Sequence, residues 1–341
     1  MKVLDVFCGA GGASYGFLTA GLEVIGGLDA DPRAASTFEK NLRAPVLIRD
    51  AFRTAPRELV EAFGRPDVLI GCPPCQGFTR LRWGAGDDPR NNLVLRYLEF
   101  VEVLKPDFAV FENVEGFQRY GGGFYASLLV KKLRDLGYGV IEGVLNAADF
   151  GTPQMRRRYV VLAALRSRPR KPEPTHGDPL SESVKSGRLR PWRTVREVIG
   201  GLRPLNAGEA DPSDPLHAAP KHTIKVLRFI RAIPKDGGSR LDVPRRLWLK
   251  CHSRLRNGFG DVYGRMKWDA PAPTITGGCL TPSKGRFVHP EQDRGITLRE
   301  AALLQGFPKD YAFAGTRSSV ASQIGNALPP PFASALARSL V

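Results

Sequence analysis

The chain has 341 residues, of which 42% are hydrophobic and 25% are charged. This composition is typical of a globular protein with room for one large domain or two modest ones. No apolar stretch approaches the ~20 residues that span a bilayer, and the N-terminus becomes glycine-rich before any secretory apolar region develops. We therefore expect a soluble cytoplasmic protein with no membrane partner.

The formal net charge is +16, and much of the excess is arginine after residue 155, as in residues 155–158 and 166–171. This charge indicates a polyanionic partner, although a solvated basic surface explains the charge alone about as well. Cysteines stand at positions 8, 72, 75, 251 and 279. Their odd number does not form the paired framework of a secreted domain, so we expect reduced thiols.

Up to about residue 165, strand-like apolar runs alternate with stretches that carry apolar residues at helical spacing. The predicted strands are 3–7, 24–28, 46–48, 67–70, 108–111, 140–145 and 159–165. The predicted helices are 32–42, 56–63, 92–104 and 124–136. This alternation predicts an α/β fold, with a mostly parallel sheet covered by helices on both faces. Ligands bind such sheets beyond the carboxyl ends of the strands.

Beyond residue 166 the chain becomes rich in Pro, Gly, Arg and Ser and has little regular periodicity until about residue 296. We place a domain boundary there and expect a smaller, irregular domain. Residues 298–305 are predicted to form a helix, with Thr297 as its cap and Glu300 completing a capping box. A last apolar helix is predicted over 331–340.

A glycine-rich turn in residues 5–12, Asp-Val-Phe-Cys-Gly-Ala-Gly-Gly, stands between the first strand and a helix. Glycines let a backbone approach a ligand closely, yet a tight structural turn explains this segment alone as well. Ser14 departs from the dinucleotide pattern of three glycines. Asp29 and Asp50 close the next two strands, where they could take ribose hydroxyls and an adenine amino group. Each acid alone is more often a helix cap, but together with Asp5 they favour a nucleoside site.

The run Cys72-Pro73-Pro74-Cys75 follows the predicted strand 67–70. A C-x-x-C at this place is a redox pair, half of a zinc site, or a nucleophile with an incidental neighbour. A zinc site is not expected, because the sequence has no second C-x-x-C and no spaced histidine pair. The redox interpretation remains open on this segment alone.

Charged side chains also reach the same edge of the predicted sheet. Glu112 ends the next strand, where a buried carboxyl is a proton donor and an exposed one is simply solvated. Alternation places Arg156 and Arg158 on one face of the last strand and Arg157 on the other. Paired guanidinium groups beside a thiol and a carboxyl suit an electron-rich heterocycle with a carbonyl, such as cytosine.

These residues resemble the cytosine-5 DNA methyltransferase family, in the family's order and over nearly the whole chain. Residues 5–12 are similar to the first cofactor motif, and Pro74-Cys75-Gln76 to the nucleophile motif. Glu112-Asn113-Val114 is similar to the acid motif, and Gln154 with the two arginines to the motif Gln-x-Arg-x-Arg. Residues 297–308 and 323–330 resemble the ninth and the last motif.

The resemblance implies a Rossmann-like fold of the class I S-adenosylmethionine-dependent methyltransferases, with S-adenosyl-L-methionine as the cofactor. It implies that Asn326 brings the C-terminal helix back onto the first domain, and that residues 82–91 form a mobile loop that closes over the substrate. The catalytic residues implied are the nucleophile Cys75 with Glu112, Arg156 and Arg158. The implied lining of the cofactor pocket is Phe7, Cys8, Gly9, Gly11, Gly12, Asp29, Ala30, Asp50, Ala51, Pro74, Leu93, Asn326 and Ala327.

By this resemblance the chain divides into a catalytic domain (1–165), a target-recognition domain (166–290) and a returning C-terminal segment (291–341). The expected partner is double-stranded DNA, with a cognate restriction endonuclease in the same system, and the expected enzyme is a monomer associated with the nucleoid. Rival interpretations are a tRNA cytosine-5 methyltransferase, a catalytically idle DNA-binding module on the same scaffold and, more distantly, a nicotinamide oxidoreductase.

Two positions depart from the family pattern. Cys72 stands where many members carry Gly, and Arg49 precedes Asp50 where Gly is common. In the predicted recognition domain, one group of residues mixes cations with aromatic rings and supplies our candidates for phosphate and base contacts, although a solvated basic loop explains any one of them as well. They are Trp248, Lys250, His252, Arg254, Arg256, Arg265, Lys267 and Trp268.

Overall fold

A computed structural model describes residues 1–74, 89–249 and 260–340. Among these residues, seven strands form the main sheet in the spatial order β3-β2-β1-β4-β5-β7-β6. β7 is antiparallel to both of its neighbours and the other pairs are parallel. The sheet is therefore mostly parallel, as predicted, whereas the direction of β7 was not predicted. The strands are β1 (Lys2–Val6), β2 (Glu23–Asp29), β3 (Val46–Ile48), β4 (Val68–Gly71), β5 (Phe108–Val114), β6 (Gly139–Asn146) and β7 (Arg157–Ala164).

The order of the strands creates a crevice in the middle of the sheet. From β1 the chain moves outward through β2 and β3, and it then returns to place β4 on the other side of β1. Loops that follow β1 and β4 therefore leave in opposite directions, and ligands bind beyond the carboxyl ends of the strands at such a point.

Helices cover both faces of the main sheet, as predicted. Along β1, Leu4 and Val6 enter the core on one face, while Val3 enters the core on the other, because successive side chains of a strand alternate. The helices of this part of the chain are α1 (Gly12–Thr19), α2 (Pro32–Leu42), α3 (Pro56–Phe63), α4 (Leu93–Leu104) and α5 (Phe124–Asp135).

Short elements make up the region after β7. Elements in it are β8 (His176–Gly177), α6 (Glu182–Lys185), β9 (Arg190–Pro191), α7 (Val195–Ile199), β10 (Ala210–Asp211), β11 (Asp214–Ala218) and α8 (Ile224–Arg231). The expectation of little regular structure here missed α8. Val226, Phe229 and Ile230 recur at helical spacing after the Thr223 cap, so the sequence did carry a signal for this helix.

The C-terminal segment contains α9 (Leu298–Gln305), α10 (Arg317–Asn326) and α11 (Pro330–Arg338). The predicted capping box of α9 is present, because the Thr297 hydroxyl accepts from the Glu300 amide and the Glu300 carboxylate accepts from the Thr297 amide. The helix α10 was not predicted, since its small polar residues form no apolar stripe. No helix among the described residues is both long and apolar enough to cross a membrane.

The last helix returns to the first part of the chain. Phe332 and Ala333 of α11 share a core with Phe17 of α1. The two helices approach so closely that a Cβ atom on Gly16 would lie 2.5 Å from the Cβ atom of Ala333. This contact brings the end of α10, including Asn326, to the edge of the main sheet.

Candidate active site

A cavity of about 580 Å³ lies at the carboxyl ends of the central strands, next to the crevice between β1 and β4. Its floor comes from the segments that follow β1, β2, β3 and β4 and from the end of β5, and its other wall from residues 274–277 and the end of α10. The site therefore combines the N-terminal part of the chain with the returning C-terminal segment.

Twelve of the thirteen residues predicted to hold the cofactor line this cavity. Gly11 does not: it precedes α1 with a φ of 84°, and a Cβ atom there would lie 2.7 Å from Leu42. Its role in this structure is to permit the turn and the close packing of α2. The lining members are Phe7, Cys8, Gly9, Gly12, Asp29, Ala30, Asp50, Ala51, Pro74, Leu93, Asn326 and Ala327.

Asp29 and Asp50 line the cavity and accept hydrogen bonds from backbone amides, and Asp50 is also a helix cap. Asp29 accepts hydrogen bonds from the amides of Gly9, at 2.8 Å, and Asp31, at 2.9 Å. Asp50 accepts from the amide of Phe52 at 2.9 Å and begins a short 3-10 helix. For Asp50 the cap and the cavity-lining interpretations are therefore compatible, whereas Asp29 lines the cavity without capping a helix.

Asp5 is a cavity residue that the predicted set left out. It is 1% exposed, and its Oδ2 accepts from the Ser14 hydroxyl at 2.6 Å. Its Oδ1 is buried and has no hydrogen-bond partner among the described residues. Burial raises the pKa of this carboxyl to about 7. Ser14, which departs from the dinucleotide pattern, therefore orients Asp5 through its hydroxyl. Asp5 could have been added to the predicted set, because it is an acid near the end of a strand.

Glu112 and Arg158 form a mostly buried ion pair at the other end of the cavity. The Arg158 Nε atom lies 2.8 Å from Glu112 Oε1, and Arg158 Nη1 donates to the carbonyl of Arg157 at 2.8 Å. The Arg157 side chain points outward, where it pairs with Glu115. The predicted alternation along β7 is therefore confirmed, and the carboxyl is not simply solvated.

Arg156 also lines the cavity, but it is held by backbone carbonyls. Its Nη1 donates to Ile275 at 2.8 Å and its Nη2 to Gly325 at 2.9 Å. The neighbouring Gln154 side chain accepts from the Ile275 amide and donates to the carbonyl of Leu304. These contacts join β7 to residues 274–277 and to α10. Residues 274–277, 322 and 323 line the cavity without having been predicted, because no sequence periodicity marks them.

The predicted nucleophile Cys75 lies outside the described residues, as do residues 76–88, which include most of the predicted closing loop. The residues before it, Cys72, Pro73 and Pro74, line the cavity. The Asn113 side chain donates to the carbonyl of Pro73 at 3.2 Å, which ties this segment to the end of β5.

One candidate for DNA contact was wrong. Arg265 is completely buried, and its guanidinium donates to the carbonyls of Ile233, His289, Gln292 and Ile230 and pairs with Asp293. It is a structural arginine, because no exposed atom remains for a phosphate.

The other candidates in this region differ in their exposure. Trp248 and Trp268 are partly buried, and the Trp248 indole donates to Val243, whereas Lys267 is exposed. Lys250, His252, Arg254 and Arg256 lie outside the described residues.

The basic run 166–171 lies away from the cavity. β7 begins at the cavity edge with Arg157 and ends at Ala164, which pairs with Phe108 at the start of β5. Arg166 follows there and is 84% exposed in its side chain. This part of the positive charge therefore belongs to the opposite edge of the sheet.

The fold and site define an α/β protein whose cavity is lined by three acids and by a mostly buried carboxyl–guanidinium pair. The family model for C-5 cytosine-specific DNA methylase matches residues 1–341. The chain therefore belongs to the C-5 cytosine-specific DNA methylase family and is a DNA (cytosine-5-)-methyltransferase. The methyl donor of these enzymes is S-adenosyl-L-methionine.

Curated relatives are similar over almost their whole length. Type II methylase M.HgiDII of Herpetosiphon aurantiacus is 35% identical over 99% of this chain and 94% of its own. Type II methyltransferase M1.HphI of Haemophilus parahaemolyticus is 33% identical over 100% of this chain and 87% of its own. Among solved structures, a candidate DNA modification methyltransferase encoded within an E. coli prophage has a TM-score of 0.75 and 22% identity, covering 100% of this chain and 98% of that one. At 22% identity, the match to this structure shows that the two chains share a fold.

The residues present fit this methyl donor. The unpartnered Oδ1 of Asp5 is a buried acceptor at the cavity, as the cationic amino acid part of the donor requires. Asp29 and Asp50 present carboxylates further along the same wall. These three acids would hold the donor, and the donor would supply an activated methyl group.

Proposed function

We propose that this enzyme methylates C5 of a cytosine flipped out of double-stranded DNA, within a specific sequence, through a covalent bond between Cys75 and C6 of the ring. The observation that carries the proposal is the Glu112–Arg158 pair. This pair lines the same cavity as the three acids and as Pro74, which precedes Cys75 in the chain.

The chemistry explains why a thiol, an acid and a guanidinium are needed together. C5 of cytosine is a poor nucleophile, and addition of the Cys75 thiolate to C6 converts the ring into an enamine whose C5 is reactive. Glu112 hydrogen-bonds N3 and the amino group and delivers the proton that makes C6 accept the thiolate. Arg158 holds the ring through its O2 carbonyl. C5 would then take the methyl group that the donor supplies, and the sulfonium of the donor would become a neutral thioether. Loss of the proton from C5 to water, with return of the N3 proton to Glu112, then breaks the bond between sulfur and C6 and releases Cys75.

Arg156 acts through the backbone in this proposal. Its guanidinium binds the carbonyls of Ile275 and Gly325, so it fixes the wall opposite the strand ends. Its effect on the reaction is therefore to keep the cavity in shape and to support β7 next to Arg158.

DNA binding has to compensate for base flipping, which costs roughly a few kcal/mol. We assign recognition of the target to residues 166–290, with the catalytic part before them and a returning segment after them. The remaining candidates for DNA contact are the exposed Lys267, the partly buried Trp248 and Trp268, and the candidates within 250–256, which lie outside the described residues. The Type II names of M.HgiDII and M1.HphI support a cognate restriction endonuclease, and we expect a monomeric enzyme that works on the DNA of the cytoplasm.

Replacing the nucleophile tests the proposal directly. We expect Cys75→Ser to lose transfer of a tritiated methyl group to DNA while it keeps its affinity for the methyl donor and for DNA. Cys279→Ala is the matched control, because Cys279 is buried and does not line the cavity, so its loss should leave the activity intact. Full activity of Cys75→Ser would rule out this thiol as the nucleophile.

The nature of the substrate is tested in the same assay. DNA and tRNA, matched in concentration, are offered side by side to the unmodified enzyme, and bisulfite sequencing of the methylated DNA then reads the target. We expect label in DNA at one recurring sequence. Label in tRNA alone would replace the DNA proposal with the RNA one.

A further inference from the structure

A second cavity, of about 580 Å³, lies between the predicted recognition domain and the returning C-terminal segment. Its lining includes Lys221 and His222, which precede α8, together with Thr281 and with Arg317 at the start of α10. No acidic residue is among the described residues that line it, and none of them lines the catalytic cavity. The proposed mechanism therefore leaves this cationic cavity without a role.

Two exposed cations, Lys221 and Arg317, are held in place at this cavity. The stem of Lys221 lies over Gly208, where a Cβ atom would come within 2.9 Å of the lysine Cγ. The Arg317 Nη2 atom donates to the carbonyl of Ala218 at 2.8 Å. Within the described part of the chain neither cation forms an ion pair. The acids of the adjoining segments are paired with other arginines, namely Glu209 with Arg203 and Asp214 with Arg299.

The histidine of this cavity contributes no charge at neutral pH. Its Nε2 atom accepts from the Gly295 amide at 3.1 Å, and burial lowers the pKa of His222 below its usual value. The positive charge of the cavity therefore comes from the lysine and the arginine. An anion complements two cations that have no competing acid, and phosphate oxygens accept hydrogen bonds from both side chains.

The cationic cavity lies close to the catalytic one, because both are built on the same two elements. α10 begins at Arg317 and ends at Asn326, which lines the catalytic cavity, and its 10 residues span about 15 Å. Residues 274–277 line the catalytic cavity, and residues 280–282 of the same loop line the cationic one. Along one strand of DNA, about 15 Å of the axis carries roughly four phosphates. A duplex whose cytosine enters the catalytic cavity is therefore long enough to reach both cations.

We propose that Lys221 and Arg317 form a binding site for a phosphate of the DNA backbone, a few nucleotides away from the target cytosine. This inference rests on DNA as the substrate and not on the covalent role of Cys75. The site extends the contact with DNA to the returning C-terminal segment. It positions the duplex without reading its sequence, since phosphate contacts carry no information about the bases.

The first test measures the affinity for a target duplex at several salt concentrations. We expect Lys221→Ala and Arg317→Ala each to weaken binding by about fivefold to tenfold at about 0.1 M salt, and to flatten the slope of log K against log salt by about 0.9. The loss should be the same for an unrelated duplex, and kcat at saturating DNA should stay unchanged. Arg317→Lys should restore the slope. Arg166→Ala, which removes one charge at the opposite edge of the sheet, should leave it unchanged.

The second test locates the contact with duplexes in which single phosphates are replaced by uncharged methylphosphonates. One such replacement near the target should weaken binding to the unmodified enzyme. The same replacement should cost the double variant of Lys221→Ala and Arg317→Ala nothing further, because both changes remove one interaction.

Four results would overturn the phosphate site. They are an unchanged salt slope in the double variant, an equal loss in Arg166→Ala, a slope that Arg317→Lys does not restore, and a methylphosphonate penalty that persists in the double variant. Binding of inorganic phosphate that Lys221→Ala abolishes, with unchanged affinity for DNA, would assign the cavity to a free anion instead. Failure of the covalent mechanism would leave all of these affinities as they are, since Cys75 takes no part in them.

Discussion

Three carboxylates line the cavity, and Asp5 differs from the other two in what it contacts. Asp29 and Asp50 are satisfied by backbone amides, whereas one oxygen of Asp5 is buried without a partner among the described residues. A buried hydrogen-bond acceptor that lacks a partner costs free energy, so such an atom is found where a ligand supplies the missing hydrogen bond. Asp5 is therefore the residue whose state should depend most on the bound methyl donor.

This contrast predicts a pH dependence of donor binding. Burial holds the pKa of Asp5 at about 7, so the residue is a carboxylate above that pH and neutral below it. A cationic ligand prefers the carboxylate. We therefore expect the affinity for S-adenosylmethionine, measured by calorimetry, to fall as the pH is lowered from about 8 to about 6.

Asp5→Asn should bind the donor at least about tenfold more weakly at about pH 8 and lose this pH dependence, since a charge-assisted hydrogen bond is replaced by a neutral one. Asp67→Asn is the matched control, because Asp67 lies at the opposite edge of the sheet and accepts from the Lys2 amide. An affinity for the donor that follows pH equally in both variants would argue against a role of Asp5.

Some charged residues could be assigned from the sequence alone, and others could not. The order of the motifs predicted that Glu112 and Arg158 belong to the site. For Arg158, alternation along β7 decides which side chains face the cavity. Composition could not distinguish Arg265 from an arginine that contacts DNA. Its burial results from carbonyls of residues 230–233 and 289–292, which only the folded chain brings together.

The capping boxes at the N-termini of α7 and α9 differ in burial. Thr194 and Glu197 cap α7 in an exposed position. Thr297 and Glu300 cap α9, but Glu300 is also buried and pairs with Arg294. Burial alone would raise the pKa of Glu300, yet the hydrogen bonds and charge of Arg294 outweigh it and hold the pKa at about 2.

Glu300→Gln should therefore lower the free energy of unfolding by about 3 to 5 kcal/mol, because it leaves the buried Arg294 guanidinium without its counter-charge. The corresponding Glu197→Gln should cost less than about 1 kcal/mol. Urea unfolding at neutral pH measures both changes, and equal costs would contradict this account.

The depressed pKa of Glu300 also makes the stability of the fold depend on pH. A depressed pKa stabilises the fold above the ordinary value of 4.5, and this contribution is lost as the pH falls from there to about 2.

Several helices could be predicted at their bounds, although α8, whose apolar residues also recur at helical spacing, was missed. Residues 32–42, 56–63 and 298–305 matched the bounds of their helices, since each has a cap or an initial proline and a clear apolar stripe. α10 is held by contacts far away in the chain, such as the Gln323 side chain accepting from the Thr37 hydroxyl at 2.7 Å. Such contacts leave no local signal.

At the scale of the whole molecule, the site depends on the return of the C-terminal segment. α11 lies against α1, and this places Asn326 and Ala327 in the wall of the cavity. Gly16 permits that approach, since a Cβ atom there would come within 2.5 Å of the Pro330 carbonyl oxygen as well as of Ala333. The cavity wall that the C-terminal segment supplies therefore depends on the close contact between α1 and α11.

Gly16→Ala should destabilise the protein by about 1 to 3 kcal/mol through overpacking, although alanine favours a helix by about 1 kcal/mol. Gly201→Ala is the control, because a Cβ atom there has no neighbour within 4 Å, and its effect should lie within about 0.5 kcal/mol. Thermal unfolding measures both. Equal melting temperatures would show that the two helices have room to separate.

The covalent bond to Cys75 is the central claim, and trapping tests it most directly. The unmodified enzyme and Cys75→Ser are each incubated with S-adenosylmethionine and a DNA duplex that carries 5-fluorocytosine at the methylated site. Fluorine blocks the loss of a proton from C5 that would release the enzyme, so we expect a protein–DNA complex that survives denaturation with the unmodified chain and none with Cys75→Ser. No such complex, under conditions where the unfluorinated duplex is methylated, would contradict the covalent mechanism.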